Sequence, residues 1–171
     1  NLLVVLADQL GLNHCKYATY WNGTNYPGAD NAITPNLDQF ARQGINFRNT
    51  VANTPVCSAF RASLMTGKYT TSHGMVINEL QLNPYQDCLG HSRTRGGYNT
   101  AYIGKWHMYA NKLGDHTNSD NSFVPRGEHR LGFNGYWAAF NFHHDYYNTY
   151  YHTESKEKIF WGQGVYEPDG Q

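Results

Sequence analysis

The chain has 171 residues, a one-domain length, and its 13 Lys+Arg balance 13 Asp+Glu with 9 His besides. The absence of a basic excess to neutralise phosphates argues against a nucleic-acid-binding module. The longest apolar run, Leu2 to Ala7, falls far short of the ~20 residues that a membrane-spanning helix needs, and the mean hydropathy of −0.67 agrees.

Hydrophobic residues make up 40% of the chain and aromatics 15%, enough for a core, while charged residues are held to 15%. The polar surface is therefore built from Asn, Gly, Tyr and His, a composition common in extracytoplasmic and sugar-handling proteins. Cys15, Cys57 and Cys88 are too few for a disulfide scaffold, and the odd number leaves at least one without an intrachain partner. Cys15 and Cys88 either pair or remain buried thiols. The chain carries no signal peptide and opens directly on a strand-like run, so its natural start is expected to be missing.

Leu2 to Ala7 is an unalternating β-prone run stopped by Asp8, Gln9 and Gly11, the pattern of a strand buried on both faces of a parallel sheet. A Gly/Asn/Tyr-rich loop follows to about Ile33. Thr34 then reads as an N-cap and Pro35 as the first position of a helix, with Leu37, Phe40 and Ala41 on one face and Gly44 as its stop. Ile45 to Ala52 reads as a second strand, and strand–helix–strand order points to a βαβ unit. Thr54-Pro55 breaks the chain before a short helix predicted over Ser58 to Thr66, with Gly67 as its C-terminal stop. A weaker helix is predicted over Gln86 to Arg95, and a third strand over Asn99 to Ile103. Residues 108 to 130 are polar and mostly loop. Leu131 to Tyr166 holds 12 of the 26 aromatic residues. That segment is either an aromatic core and surface layer or a wall for stacking on sugar rings, with His143, His144 and Asp145 as polar contacts.

Polar groups stand where three strand-like runs end: Asp8-Gln9, Cys57 and Lys105/His107. Ligands of open α/β sheets bind at that edge, so these loops are expected to converge. Cys57 and Arg61 are four apart and share a helix face, and a helix N-terminus attracts anions. Taken singly, each residue has a plainer explanation: a small buried thiol, a solvated arginine, a snorkelling lysine, a hydrogen-bonded histidine, ordinary turn chemistry after a strand.

Together, however, four segments in order resemble the type I sulfatases. They are Asn1 to Gly11, Thr34-Pro35-Asn36-Leu37-Asp38, Cys57-Ser58-Ala59-Phe60-Arg61-Ala62-Ser63-Leu64-Met65-Thr66-Gly67-Lys68-Tyr69, and Gly97-Tyr98 through Gly104-Lys105-Trp106-His107. The resemblance implies an α/β fold, the alkaline-phosphatase/sulfatase-like sandwich with a mostly parallel central sheet, incomplete in this chain. Residues 1–171 would be the N-terminal portion of one catalytic domain. Within it, 1–107 would carry the core motifs and 108–171 a loop-rich, aromatic-rich segment on the substrate side.

The implied activity is hydrolysis of a sulfuric ester of a sulfated sugar or polysaccharide. Cys57 would be oxidised by a formylglycine-generating maturation enzyme and act as the nucleophile. Arg61 would hold the formylglycine hydrate, and Lys105 would pair with sulfate. His107 would bond the hydrate and help it collapse. Asp8 and Gln9, with Cys57 as a third metal position, would serve a Ca²⁺ ion, whose hard charge suits oxygen ligands. Lys105, His143 and His144 would contact substrate. A periplasmic or secreted location is implied. Gln9 stands where a second Asp is commonest in the family, Ala59 where Pro is most frequent, and Phe60 where Ser is usual. The family's later metal-ligand pair, leaving-group histidine and further lysine have no counterpart here, so the chain is expected to stop before the site is complete. A phosphatase or phosphodiesterase of the same superfamily is disfavoured because those enzymes use Ser or Thr directly. A non-catalytic sulfoglycan-binding fragment is the remaining alternative.

Overall fold

A computed structural model describes residues 1–11, 14–15, 33–47, 49–110, 119–143 and 147–161. Chain packing separates two compact units, Asn1–Thr50 and Val51–Gln171.

Among the described residues of the first unit lies one α-helix, α1 (Pro35–Gln43). Proline sits at its first position, where the missing N–H costs nothing. Thr34 occupies the N-cap position, but its hydroxyl donates to the Asp38 carboxylate at 2.9 Å instead of accepting a backbone N–H. The Gly44 N–H closes the other end on the Phe40 carbonyl. Among the described residues neither predicted strand of this region forms. Leu2 to Ala7 and Ile45 to Ala52 carry no strand pairing, and Leu3 and Ile45 are each 85% exposed. Strand geometry is held by a hydrogen-bonded neighbour, and among the described residues neither run has one.

The second unit is built around a parallel strand pair. α2 (Cys57–Thr66) follows the Thr54-Pro55 break and ends at Gly67, whose φ of 67° is the left-handed stop that the sequence predicts. A single turn, α3 (Thr70–His73), and α4 (Leu89–Arg95) follow; α4 begins three residues later than expected. β1 (Tyr102–Lys105) pairs in parallel with β2 (Trp137–Phe140), Tyr102 opposite Trp137 and Lys105 opposite Phe140. A short antiparallel ladder, β3 (Tyr150–Tyr151) with β4 (Ile159–Phe160), joins β2 through an isolated bridge between Ala139 and His152. The parallel pairing and its flanking helices make the chain α/β, as the sequence implies. The parallel partners, though, are the strands at 102 and 137, not those expected at 2 and 45. Residues 119–121 and 128–130 form single 3-10 turns in the otherwise irregular connection.

Ala62, Met65, Met75, Leu82, Trp106, Met108, Leu131 and Trp137 form the core of this unit. Tyr102 packs into it edge-on to Trp106 (4.8 Å) and stacked on Trp137 (5.4 Å). The Arg130 guanidinium is fully buried, 4.6 Å over the Trp137 ring. It donates to the Val124 and Thr153 carbonyls and to Glu154 at 2.9 Å, so its charge is compensated on every side. α4 lies so close to the turn at 131–132 that a Cβ on Gly90 would stand 2.4 Å from the Leu131 carbonyl oxygen. Only glycine permits that approach.

Three histidines tie loops to this core, and burial lowers the pKa of each below the ordinary 6.5. His73 accepts the Met75 N–H at Nδ1, so Nε2 carries the proton and donates to Ser63. His152 lies between the Ser122 hydroxyl and the Glu157 carbonyl. His129 packs on Tyr109, and Glu128 partly offsets its burial. A histidine with a lowered folded pKa binds its proton more readily in the unfolded chain. Its contribution to stability is therefore present above 6.5 and is lost as pH falls through the folded value. The thermal midpoint is expected to drop between pH 7.5 and 5 with net proton uptake on unfolding. A flat profile over that range would refute the assignment.

Candidate functional site

Cys57 is the first residue of α2, with Val56 in extended conformation before it, and the helix carries Arg61 one turn further on the same face. Forty-eight residues later β1 ends in Lys105, whose ammonium reaches the Cys57 thiol: Nζ to Sγ is 3.6 Å. Arg61 is buried. Its Nη1 donates to the Lys105 carbonyl at 2.5 Å and to the Tyr102 hydroxyl at 3.3 Å. The backbone of His107 is drawn into the same assembly, because the buried Ser58 hydroxyl lies 2.5 Å from the His107 carbonyl. Ser58 is held in turn by Asn78, whose side-chain oxygen accepts the Ser58 N–H and whose carbonyl lies within reach of the Ser58 hydroxyl. A thiol, two fixed cations and a buried histidine segment thus gather where α2 begins and β1 ends.

Backbone conformation singles out two of the sequence-predicted positions. His107 (φ 57°) and Gln9 (φ 61°) are two of the three non-glycine residues with positive φ among those described. Such conformations are uncommon for these residue types and persist where the surroundings hold them, often at functional sites.

The His107 ring is buried edge-on to Phe142 at 4.6 Å. Asp8 and Gln9 lie in the first unit, both exposed. Their carboxylate and amide oxygens are hard donors that suit Ca²⁺, whereas a thiol at position 57 does not. Among the described residues no group of three His, Cys, Asp or Glu gathers into a metal cluster. The donor types present fit the expected ion, and they make up a small part of the six to eight oxygens it prefers.

His143 is engaged elsewhere. Its ring is stacked between Phe140 (4.1 Å) and Tyr150 (4.3 Å), and its Nε2 bonds the Tyr150 carbonyl at 2.8 Å. His144 and Asp145 lie outside the described residues. Both remaining cysteines are free and buried, which selects the thiol alternative for Cys15 and Cys88. Burial pushes the Cys88 thiol up to about 11, so it stays protonated and inert. A groove of about 390 Å³ runs along Phe60, Ser63, Leu64 and Lys68 and contains none of the clustered residues. Along it Lys68 bonds Gln86, and Ser63 bonds His73 and Asn53.

Tyr102, Ser58 and Asn78 are not among the site residues that the sequence picks out. Their contacts with Arg61, Lys105 and His107 are visible only in three dimensions.

The family model described as Sulfatase matches residues 1–166. An ulvan-active sulfatase of Formosa agariphila is 39% identical over 166 residues, covering 95% of this chain and 29% of that protein. An N-acetylglucosamine-6-O-sulfatase of Bacteroides thetaiotaomicron is 33% identical over 99 residues, covering 58% of this chain and 17% of that one. A solved structure described under the metabolism of multiple glycosaminoglycans by the same organism superposes with a TM-score of 0.75 at 25% identity. It covers 90% of this chain and 35% of its own. The chain therefore spans about a third or less of the length of the proteins it matches.

Proposed function

Because the chain belongs to the sulfatase family, we propose that the protein hydrolyses sulfate esters and that the Cys57 cluster is its nucleophile site. One observation carries the reading: the Lys105 ammonium 3.6 Å from the Cys57 sulfur, with Arg61 buried one helical turn along. Sulfate transfer accumulates negative charge on the nonbridging and leaving oxygens, and prepositioned cations are the groups that stabilise it.

In this reading Cys57 is oxidised to formylglycine and stands as the aldehyde hydrate. One hydroxyl of the hydrate attacks sulfur, the bond from sulfur to the alcohol oxygen breaks, and the alcohol leaves with a proton. The second hydroxyl then gives up its proton, the C–O bond to sulfate breaks, and the aldehyde is regenerated. A hard displacement is thereby split into two easier ones. Lys105 pairs with the sulfate oxygens, Arg61 holds the hydrate, and His107 takes part in its collapse. Asp8 and Gln9 would hold a divalent ion, Ca²⁺ by donor type, which when bound polarises a sulfate oxygen. The substrate is a sulfated carbohydrate. Relatives named for N-acetylglucosamine and for glycosaminoglycans support this, as do the exposed rings of Tyr136, Tyr147 and Trp161, suited to stacking on sugar faces. His143 and His144 belong to that substrate-side segment. A periplasmic or secreted location goes with such a substrate, and no helix among the described residues is long and apolar enough to cross a membrane.

Mass spectrometry of the Cys57 peptide from protein that turns over an aryl sulfate tests the reading. Formylglycine is the expected result, and an unmodified thiol in active protein refutes the mechanism.

A further inference from the structure

We propose that Tyr102 is a positioning residue for Arg61, its hydroxyl locking the guanidinium to the end of β1; this rests on the sulfatase reading of the Cys57 cluster. The hydrogen bonds close without conflict. Arg61 Nη1 donates to the Tyr102 oxygen at 3.3 Å, and the Tyr102 hydroxyl donates its own proton to the Lys105 carbonyl at 2.5 Å. Arg61 Nη1 also donates to that carbonyl, which has two lone pairs and accepts both bonds. The phenol cannot swing away, because its ring is wedged against Trp106, Trp137 and Phe133 at centroid distances of 4.8, 5.4 and 5.5 Å.

The consequence is geometric. Arg61 stands on α2 and Lys105 at the end of β1, and the reacting position at Cys57 is shared by both elements. The Lys105 carbonyl holds Nη1 from the end of β1. A second tether from a rigid phenol fixes its direction, and catalytic groups must be held to within fractions of an ångström. Tyr102 bonds Arg61 and the Lys105 carbonyl. Its effect reaches the reaction through Arg61.

The test is Tyr102→Phe, which keeps the ring in its aromatic pocket and removes only the hydroxyl, made in the protein expressed at its full encoded length. With 4-nitrophenyl sulfate as probe, kcat is expected to fall about tenfold, the scale of one hydrogen bond to a charged group. KM should stay within about twofold because the substrate contacts remain. The thermal midpoint should stay within about 2 °C, since the ring still fills its place. In an Arg61→Lys background the same substitution should cost less than about twofold, because the tethered group is gone. An unchanged kcat, a tenfold loss that persists in the Arg61→Lys background, or a loss matched by a fall in the midpoint overturns the proposal. Nitrogen-15 resonances of the Arg61 guanidinium give a readout independent of turnover: restrained rotation in the wild type, and averaging in Tyr102→Phe. Identical signals in the two proteins overturn the tether. A wild type that leaves both the aryl sulfate and sulfated oligosaccharides intact would sink the sulfatase reading, and the guanidinium signals would still decide the tether.

Discussion

Cys57→Ala is expected to abolish sulfate ester turnover, with a loss of about 10⁴-fold or more, the scale seen when a covalent nucleophile is deleted. Cys57 is half-buried at the first position of α2, and no packing around it demands a sulfur atom. The variant should therefore fold and melt like the wild type, which separates lost chemistry from lost structure. Cys57→Ser, left as serine, sharpens the test. Its hydroxyl can attack sulfur and release the alcohol, but no second hydroxyl remains to expel the sulfate. One equivalent of alcohol per enzyme, followed by arrest and a mass increment of one sulfo group on residue 57, is the expected result. Steady turnover by unconverted Cys57→Ser would show that a water attacks the ester and would remove the need for the hydrate.

Lys105→Ala should cost about 10³-fold in kcat/KM, the upper range for removing one prepositioned charge donor from an anionic transition state. The substitution targets the ammonium, because Arg61 and Tyr102 are tied to the Lys105 backbone carbonyl, which alanine keeps. The β1–β2 register and the aromatic cluster should survive it. Lys105→Arg should not restore the rate, since a planar fork does not replace a compact ammonium 3.6 Å from the nucleophile. Recovery of most of the activity by arginine would mean that net charge alone matters at this position.

The parts of the fold legible in the sequence are those set by local chemistry. Pro35 after Thr34 starts α1, Gly67 stops α2 through its left-handed φ, and the four-residue spacing from Cys57 to Arg61 puts both on one helix face. β1 was legible to within a few residues because a short apolar run ending in Gly104 leaves little choice of register. Leu2 to Ala7 and Ile45 to Ala52 have equally strong strand chemistry and no strand pairing among the described residues. Propensity supplies a preference, whereas the ladder comes from a partner. The aromatic-rich segment likewise resolved into two populations that composition cannot separate. Trp137 and Phe142 are buried, while Tyr147 and Trp161 face solvent.

The opening arithmetic of length and neutrality argued against a nucleic-acid partner and chose no other. The motifs Cys57-to-Lys68 and Gly104-to-His107 named the groups proposed to react, because residue type and spacing on one helix or one strand end are written locally. What only the tertiary structure decided is how those groups meet. Lys105 crosses 48 positions of sequence to reach Cys57, Ser58 joins His107 across 49, and Tyr102 fixes Arg61 across 41. Contacts at such separations depend on the parallel pairing of β1 with β2 and on the packing of α2, collective properties that no window of the sequence contains.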